Sequence, residues 1–205
     1  MHVHIIYTGG TIGMVDSPHG LVPGADLEGW LDSLLAGTPL ARSVSVTSLT
    51  PLIDSSNATP LSWQAIVDDL RAHAAADPQT AFVILHGTDT MAYTSAALSY
   101  ALTDLSVPVV VTGSQLPLGE LGTDAAANVT GALKAATSGR LSGVALFFGH
   151  RLLAGNPVTK SSSWAFTGFE SPNAAPLATT GAPWQWAQSA SSGIGWKDAA
   201  PYARH

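Results

Sequence analysis

Cysteine is absent from the 205 residues. That excludes disulfides and thiolate metal sites, and it leaves the redox compartment undecided. Charge is scarce: 11% of the residues are Asp, Glu, Lys or Arg, against 46% hydrophobic. Such a balance belongs to a chain that buries a core, not to a disordered one. Basic residues number 8 against 14 acidic ones, the formal net charge is −6, and no basic patch occurs. Nucleic acid is therefore not expected as a partner. No run of about 18 uncharged apolar residues is long enough to span a membrane. The amino terminus has no basic region leading into an apolar one. No secretion signal is visible, and the cytoplasm is the expected location. His-Glu-x-x-His and Gly-x-Ser-x-Gly are both missing, which removes the commonest hydrolase signatures.

What is present alternates. An apolar strand is expected over His2–Thr8, followed by a long loop, Gly9–Ala25, holding Pro18, Gly20, Pro23 and Gly24. A loop of that length in a compact domain suggests a functional lid. Asp26 caps a helix to Ala36 that places Leu27, Trp30, Leu31, Leu34 and Leu35 on one face. Val44–Leu49 alternates as a short strand, and Asp54–Asn57 is a polar turn. Thr59-Pro60 then opens a helix over Leu61–Ala75, with proline at its first position. Ala81–Leu85, Val107–Val111 and Val144–Phe148 are buried strands, separated by helices over Met91–Leu102 and Asp124–Thr137. Buried strands alternating with helices predict an α/β fold: a mainly parallel sheet, doubly wound, with helices on both faces. From about residue 175 the period is lost in Ala, Ser, Gly, Pro and Trp. This segment reads as an extended tail, with Trp184, Trp186 and Trp196 as anchors to the body or to a neighbouring subunit.

Ligands in such sheets sit beyond the carboxyl ends of the strands. The polar clusters fall there. After the first strand comes Thr8-Gly9-Gly10-Thr11-Ile12-Gly13. It is not G-x-G-x-x-G and no Gly-Lys-Ser/Thr follows. It is a phosphate cradle, a tight turn with capping hydroxyls, or a mount for a reactive threonine. After Leu85 comes His86-Gly87-Thr88-Asp89-Thr90. One of these residues suffices to cap the next helix, yet three offer side-chain oxygens. A Thr–Asp pair there suits a substrate ammonium and a polarised hydroxyl. Lys160 is a solvated lysine by base rate. Drawn inside beside Asp89 and Thr88, it would serve instead as a proton acceptor for Thr88. Burial lowers a lysine pKa in general and a nearby carboxylate raises it. The histidines at 2, 4, 19, 73, 150 and 205 show no metal spacing. His2 and His4 read as strand residues on one face, the others as surface residues.

The motifs TGGTIG (8–13) and HGTDTM (86–91) resemble those of the bacterial-type L-asparaginases. So do DSSNATP (54–60), TGSQLP (112–117), GTDAAANV (122–129) and VTKSSSWAFTGFESPNAAPLA (158–178). The resemblance covers residues 3–178 in order. It implies a catalytic domain over 1–178 of flavodoxin-like fold, with 179–205 as the tail. It also implies no cofactor and no metal, and hydrolysis of L-asparagine to L-aspartate and ammonia. Carried over, Thr11 matches the nucleophile, and Thr88, Asp89 and Lys160 match a second triad. Ser55 and Ser56 match the residues holding the substrate α-carboxylate, with Thr88 beside it and Asp89 on the α-ammonium. An amide carbonyl is a poor electrophile. It needs a positioned nucleophile and donors for the oxyanion, and a threonine hydroxyl must be activated.

The chain departs from that family twice. Leu21 stands where the loop after the first motif usually carries a tyrosine, and Tyr7, being in the strand, is not expected to replace it. The family's C-terminal domain, which completes a neighbouring subunit's site, normally follows residue 178; the sequence reads either as a fragment or as a short form without that domain, and a homo-oligomer is expected. Alternatives are a glutaminase, a related amide hydrolase acting on an amidated tRNA with a partner subunit, or a catalytically weak amino-acid-binding domain.

Overall fold

The order of strands at the centre of the molecule is set by two crossovers, one from the first strand to the sheet edge beside it and one from that edge back across the first strand to its other side. The structure is a computed structural model that describes residues 1–187. Its elements run β1 (Val3–Tyr7), β2 (Met14–Ser17), β3 (Gly20–Pro23), α1 (Leu27–Leu35), β4 (Val44–Ser48), α2 (Pro60–Ala76) and β5 (Ala81–Leu85). They continue with α3 (Met91–Ala101), β6 (Pro108–Thr112), α4 (Ala125–Ala136), β7 (Gly143–Phe148), β8 (Arg151–Ala154), β9 (Thr159–Lys160), β10 (Phe169–Glu170), β11 (Ala178–Thr179) and β12 (Gln185–Trp186). The main sheet has the order β12-β11-β8-β7-β6-β5-β1-β4. Strands β4, β1, β5, β6 and β7 are parallel. By order of appearance these five read 2-1-3-4-5, the flavodoxin-like winding expected from sequence. The topological switch point lies between β1 and β5.

The buried strands alternate between two cores because successive side chains point to opposite faces. Val3, Ile5, Val83 and Val110 pack with Leu27 and Leu31 of α1 and Val129 of α4. Ile6, Phe82, Ile84 and Val109 pack with Ile66 and Leu70 of α2 and Leu98 of α3. One turn of leucines on α1 therefore seals one face while α2 seals the other. Local signals set the helix ends. Asp26 Oδ1 accepts from Gly29 N at 3.0 Å, and Pro60 starts α2 with Ser62 Oγ accepting from Thr59 N at 3.1 Å.

Three features differ from the sequence reading. The segment 9–25 is not a structureless lid. A 3₁₀ turn over Thr11–Gly13 leads into a hairpin in which β2 pairs with β3, Asp16 opposite Leu21. Gly24 N and Ala25 N both donate to Gly13 O at 3.1 Å, which clamps the base of the hairpin to the turn. Leu21 lies exposed on β3. Second, β8 folds back antiparallel on β7 through Gly149-His150, with His150 at φ +72°. Nothing local announces a left-handed histidine. Third, β11 and β12 extend the sheet edge beyond β8. Here Trp184 stacks on Phe147 and on Trp186, so two of the three expected anchors bind the body. Trp196 lies outside the described residues, as does His205.

Candidate active site

Thr11, Ser55 and Thr88 are mounted on three turns at the carboxyl ends of β1, β4 and β5, and those turns touch. Gly10 has φ +97°, and a Cβ there would meet the Cα and N of Gly87. Only glycine allows that approach together with that backbone angle. Gly9 packs on the Ile53 carbonyl and Gly87 on the Ser55 hydroxyl in the same way. This answers why the first strand ends in paired glycines: the turn carrying Thr11 lies directly on the turn carrying Thr88. Backbone bonds fix the rest. Thr8 N donates to Leu85 O at 2.9 Å, Ile53 N to Thr8 O at 2.6 Å, and Leu118 N to Ile12 O at 3.0 Å. The buried Thr8 hydroxyl donates to Leu85 O at 3.0 Å and is structural. The Tyr7 ring fills the place a side chain at Gly13 would take. It braces the Thr11 turn from below, and burial pushes its hydroxyl pKa up.

The turn after β5 does not cap α3 with Thr88 or Asp89. Thr90 is the N-cap and makes no side-chain cap bond. Its hydroxyl instead donates to Ser55 O at 2.7 Å, tying the two turns together. Lys160 Nζ donates to Thr88 Oγ1 at 2.9 Å and to Asp89 Oδ1 at 2.8 Å. The lysine is drawn inward, its side chain 17% exposed. It arrives on the β9–β10 hairpin, closed by Ser161 N donating to Gly168 O at 2.8 Å.

Several supporting residues were given no role in the sequence reading. His86 is buried. Its Nδ1–H donates to Gly87 O at 2.7 Å, and its Nε2 accepts from Thr94 Oγ1 at 3.0 Å. Thr94 in turn accepts from Trp63 Nε1 at 3.0 Å. That chain needs a neutral imidazole, and burial lowers the His86 pKa. Asp124 accepts from Gln115 N at 3.0 Å and Leu116 N at 3.2 Å, holding the turn after β6. Gln115 Nε2 then reaches Ala165 O at 3.1 Å, in the loop between β9 and β10. Of the two serines, Ser55 is buried against Gly87, whereas Ser56 is exposed and donates to Asp54 Oδ1 at 2.9 Å. That bond holds the Asp54 carboxyl below its usual range.

The arrangement offers a hydroxyl at Thr11 on a glycine turn beside a Thr–Asp–Lys group, with backbone N–H groups of two turns at hand. Such a set suits nucleophilic attack on a small polar carbonyl compound. Comparison with known proteins agrees. Residues 2–192 match the family model described as "Asparaginase, N-terminal". L-asparaginase 1 of Escherichia coli K12 is 45% identical over 184 residues, 87% of this chain and 53% of that protein. The mouse 60 kDa lysophospholipase is 39% identical over 199 residues, 86% of this chain and 35% of that protein. The crystal structure of L-asparaginase I from Vibrio cholerae superposes with a TM-score of 0.80 at 38% identity, over 97% of this chain and 59% of that one. The chain thus spans about half the length, or less, of the curated relatives it matches.

Proposed function

The chain belongs to the asparaginase family, and from that premise we propose that it hydrolyses L-asparagine to L-aspartate and ammonia. The observation that carries this reading is Lys160 bridging Thr88 and Asp89 at 2.9 and 2.8 Å beside the Thr11 turn. Thr11 Oγ attacks the side-chain amide carbon, the C–N bond breaks, and the threonine proton leaves with ammonia. Water then hydrolyses the resulting ester, returning a proton to Thr11 and releasing aspartate. Lys160, Thr88 and Asp89 relay those protons. Asp89 also takes the substrate α-ammonium, and Ser55 takes the α-carboxylate. Ser56 helps only on release from Asp54. Backbone N–H groups of the two turns meet the oxyanion. Losing one such donor costs on the order of 10²–10³ in rate.

Ammonia release from L-asparagine and L-glutamine, for wild type beside Thr11→Ala and Thr88→Ala, tests the proposal. Each substitution is expected to lower asparagine turnover by roughly 10³-fold or more. Turnover that survives both refutes the site. A higher rate on glutamine moves the substrate to that amide, and aspartate binding without turnover makes the chain a binding domain.

Residues 1–178 form the catalytic body in this reading, with 179–205 as a segment outside it. Pairing of Ala178–Thr179 and Gln185–Trp186 onto the sheet edge supports a packed extension. A cytoplasmic location and a homo-oligomer belong to the same proposal. Trp164, 81% exposed, and the exposed Phe166 lie in the loop of the lysine hairpin and support burial by another copy. Light scattering reads the assembly; a fully active monomer removes it.

A further inference from the structure

At the opposite end of β1 the structure gathers a second polar cluster, which the spacing of the histidines along the chain does not reveal. His4 of β1 faces Asp69 and His73, one turn apart on α2. His4 is 2% exposed and Asp69 18%. His4 Nε2 and Asp69 Oδ2 are both cut off from solvent and have no hydrogen-bond partner. They point at each other across 3.6 Å, beyond the reach of a direct hydrogen bond. His73 Nδ1 stands 3.5 Å from the same carboxylate oxygen. Two buried polar atoms facing each other without a partner are a costly arrangement unless something sits between them. Among the described residues, the ion-pair partners of Asp69 are these two imidazoles alone.

We propose that His4 Nε2, Asp69 Oδ2 and His73 Nδ1 bind one divalent transition-metal ion of the zinc class. Zinc takes imidazole nitrogen at about 2.05 Å and carboxylate oxygen at about 2.1 Å, which at a tetrahedral angle sets ligand atoms about 3.4 Å apart. The observed 3.6 and 3.5 Å match that spacing. Two imidazoles with one carboxylate favour zinc over the oxygen-loving magnesium or calcium. The outer shell is in place as well. His4 Nδ1 shares a 2.7 Å hydrogen bond with Ser45 Oγ, which also lies 2.8 Å from His2 Nε2. With the His4 proton on Nδ1 toward Ser45, the Nε2 lone pair faces Asp69 and is free for the ion. Burial first, then the neighbouring His73, lower the His4 pKa to about 4, so the ring is neutral near pH 7.

One movement is required. The His4 and His73 rings are stacked, 3.6 Å between centroids and 19° from parallel, so their lone pairs do not converge as they stand. The His73 side chain is 37% exposed and has room to turn. In turning it exchanges a 2.9 Å contact with the Asp69 carbonyl for the ion. The site joins β1 to α2 at the amino end of the sheet, about 13 Å of strand from the Thr8 end of β1. The ion is therefore a structural staple, not part of the hydrolytic chemistry.

The test uses the full chain freed of metal with a chelator, then titrated with zinc alone and with magnesium alone. Calorimetry is expected to give one zinc per chain with Kd at or below the micromolar range. At about 100 times Kd the thermal midpoint should rise by roughly 5–10 °C, with no response to magnesium. Cobalt in place of zinc should give the visible absorption of a tetrahedral nitrogen–oxygen site. His73→Ala and Asp69→Asn, both on partly exposed side chains, should weaken zinc binding tenfold or more, and His150→Ala should not. No zinc-dependent shift in the wild type, or the same zinc affinity in both variants, overturns the proposal.

Discussion

The two ends of the central sheet bury polar groups in opposite ways. At the carboxyl end the polar groups around the site are paired. Lys160 has Thr88 and Asp89, His86 has Gly87 and Thr94, and Asp124 has two backbone N–H groups. At the amino end His4 Nε2 and Asp69 Oδ2 have none. A satisfied network holds reactive groups still, which is what a nucleophile and its proton relay require. An unsatisfied pair is an open position. The difference teaches that a pair the protein leaves unmatched keeps its ligand atoms available, whereas a matched network holds its groups ready for chemistry.

The sharpest way to break that contrast is Lys160→Met. If the carboxyl end is built for chemistry, ammonia release from asparagine falls by roughly 10²–10⁴-fold. The thermal midpoint moves by only a few degrees, because Asp89 is 62% exposed and its ion pair is largely solvated. A collapse of stability with activity in proportion would make the lysine a structural strut. Acid is the next lever. The folded state keeps His86 neutral and below its ordinary pKa, whereas the unfolded chain binds a proton near pH 6.5. The stability this group supplies is therefore present above about pH 6.5 and is lost as pH falls. Urea midpoints in chelator should drop between pH 7.5 and pH 5; a rise on acidification would contradict the neutral chain through Thr94 and Trp63. The smallest effect sharpens the comparison from the other side. His73→Ala should leave kcat/KM for asparagine within about twofold while abolishing the response to zinc, since the two ends share a strand but no side-chain contact.

Much of the fold was legible because its signals are local. Ala81–Leu85 is apolar at every position and buried at every position, and Asp26 and Pro60 mark helix starts by chemistry that needs no distant partner. The hairpin over Met14–Pro23 was not legible. Its alternation is brief and interrupted by Pro18, and its apolar residues Val15, Leu21 and Val22 stay exposed, so no buried face marks it. Strand β8 was hidden for another reason: the turn before it depends on a non-glycine residue at positive φ. His73 read as a surface residue, but the packing of α2 on β1 lays its ring on His4.

By itself the sequence decided the layers of this protein and which turns carry glycines and hydroxyls, because periodicity and turn chemistry act over a few neighbouring residues. Only the tertiary structure decided that Lys160 meets Thr88 from 72 positions away, or that one carboxylate on α2 lies beside two stacked imidazoles. Contacts of that range follow from how the crossovers wind around the sheet, and a linear spacing of residues does not encode them.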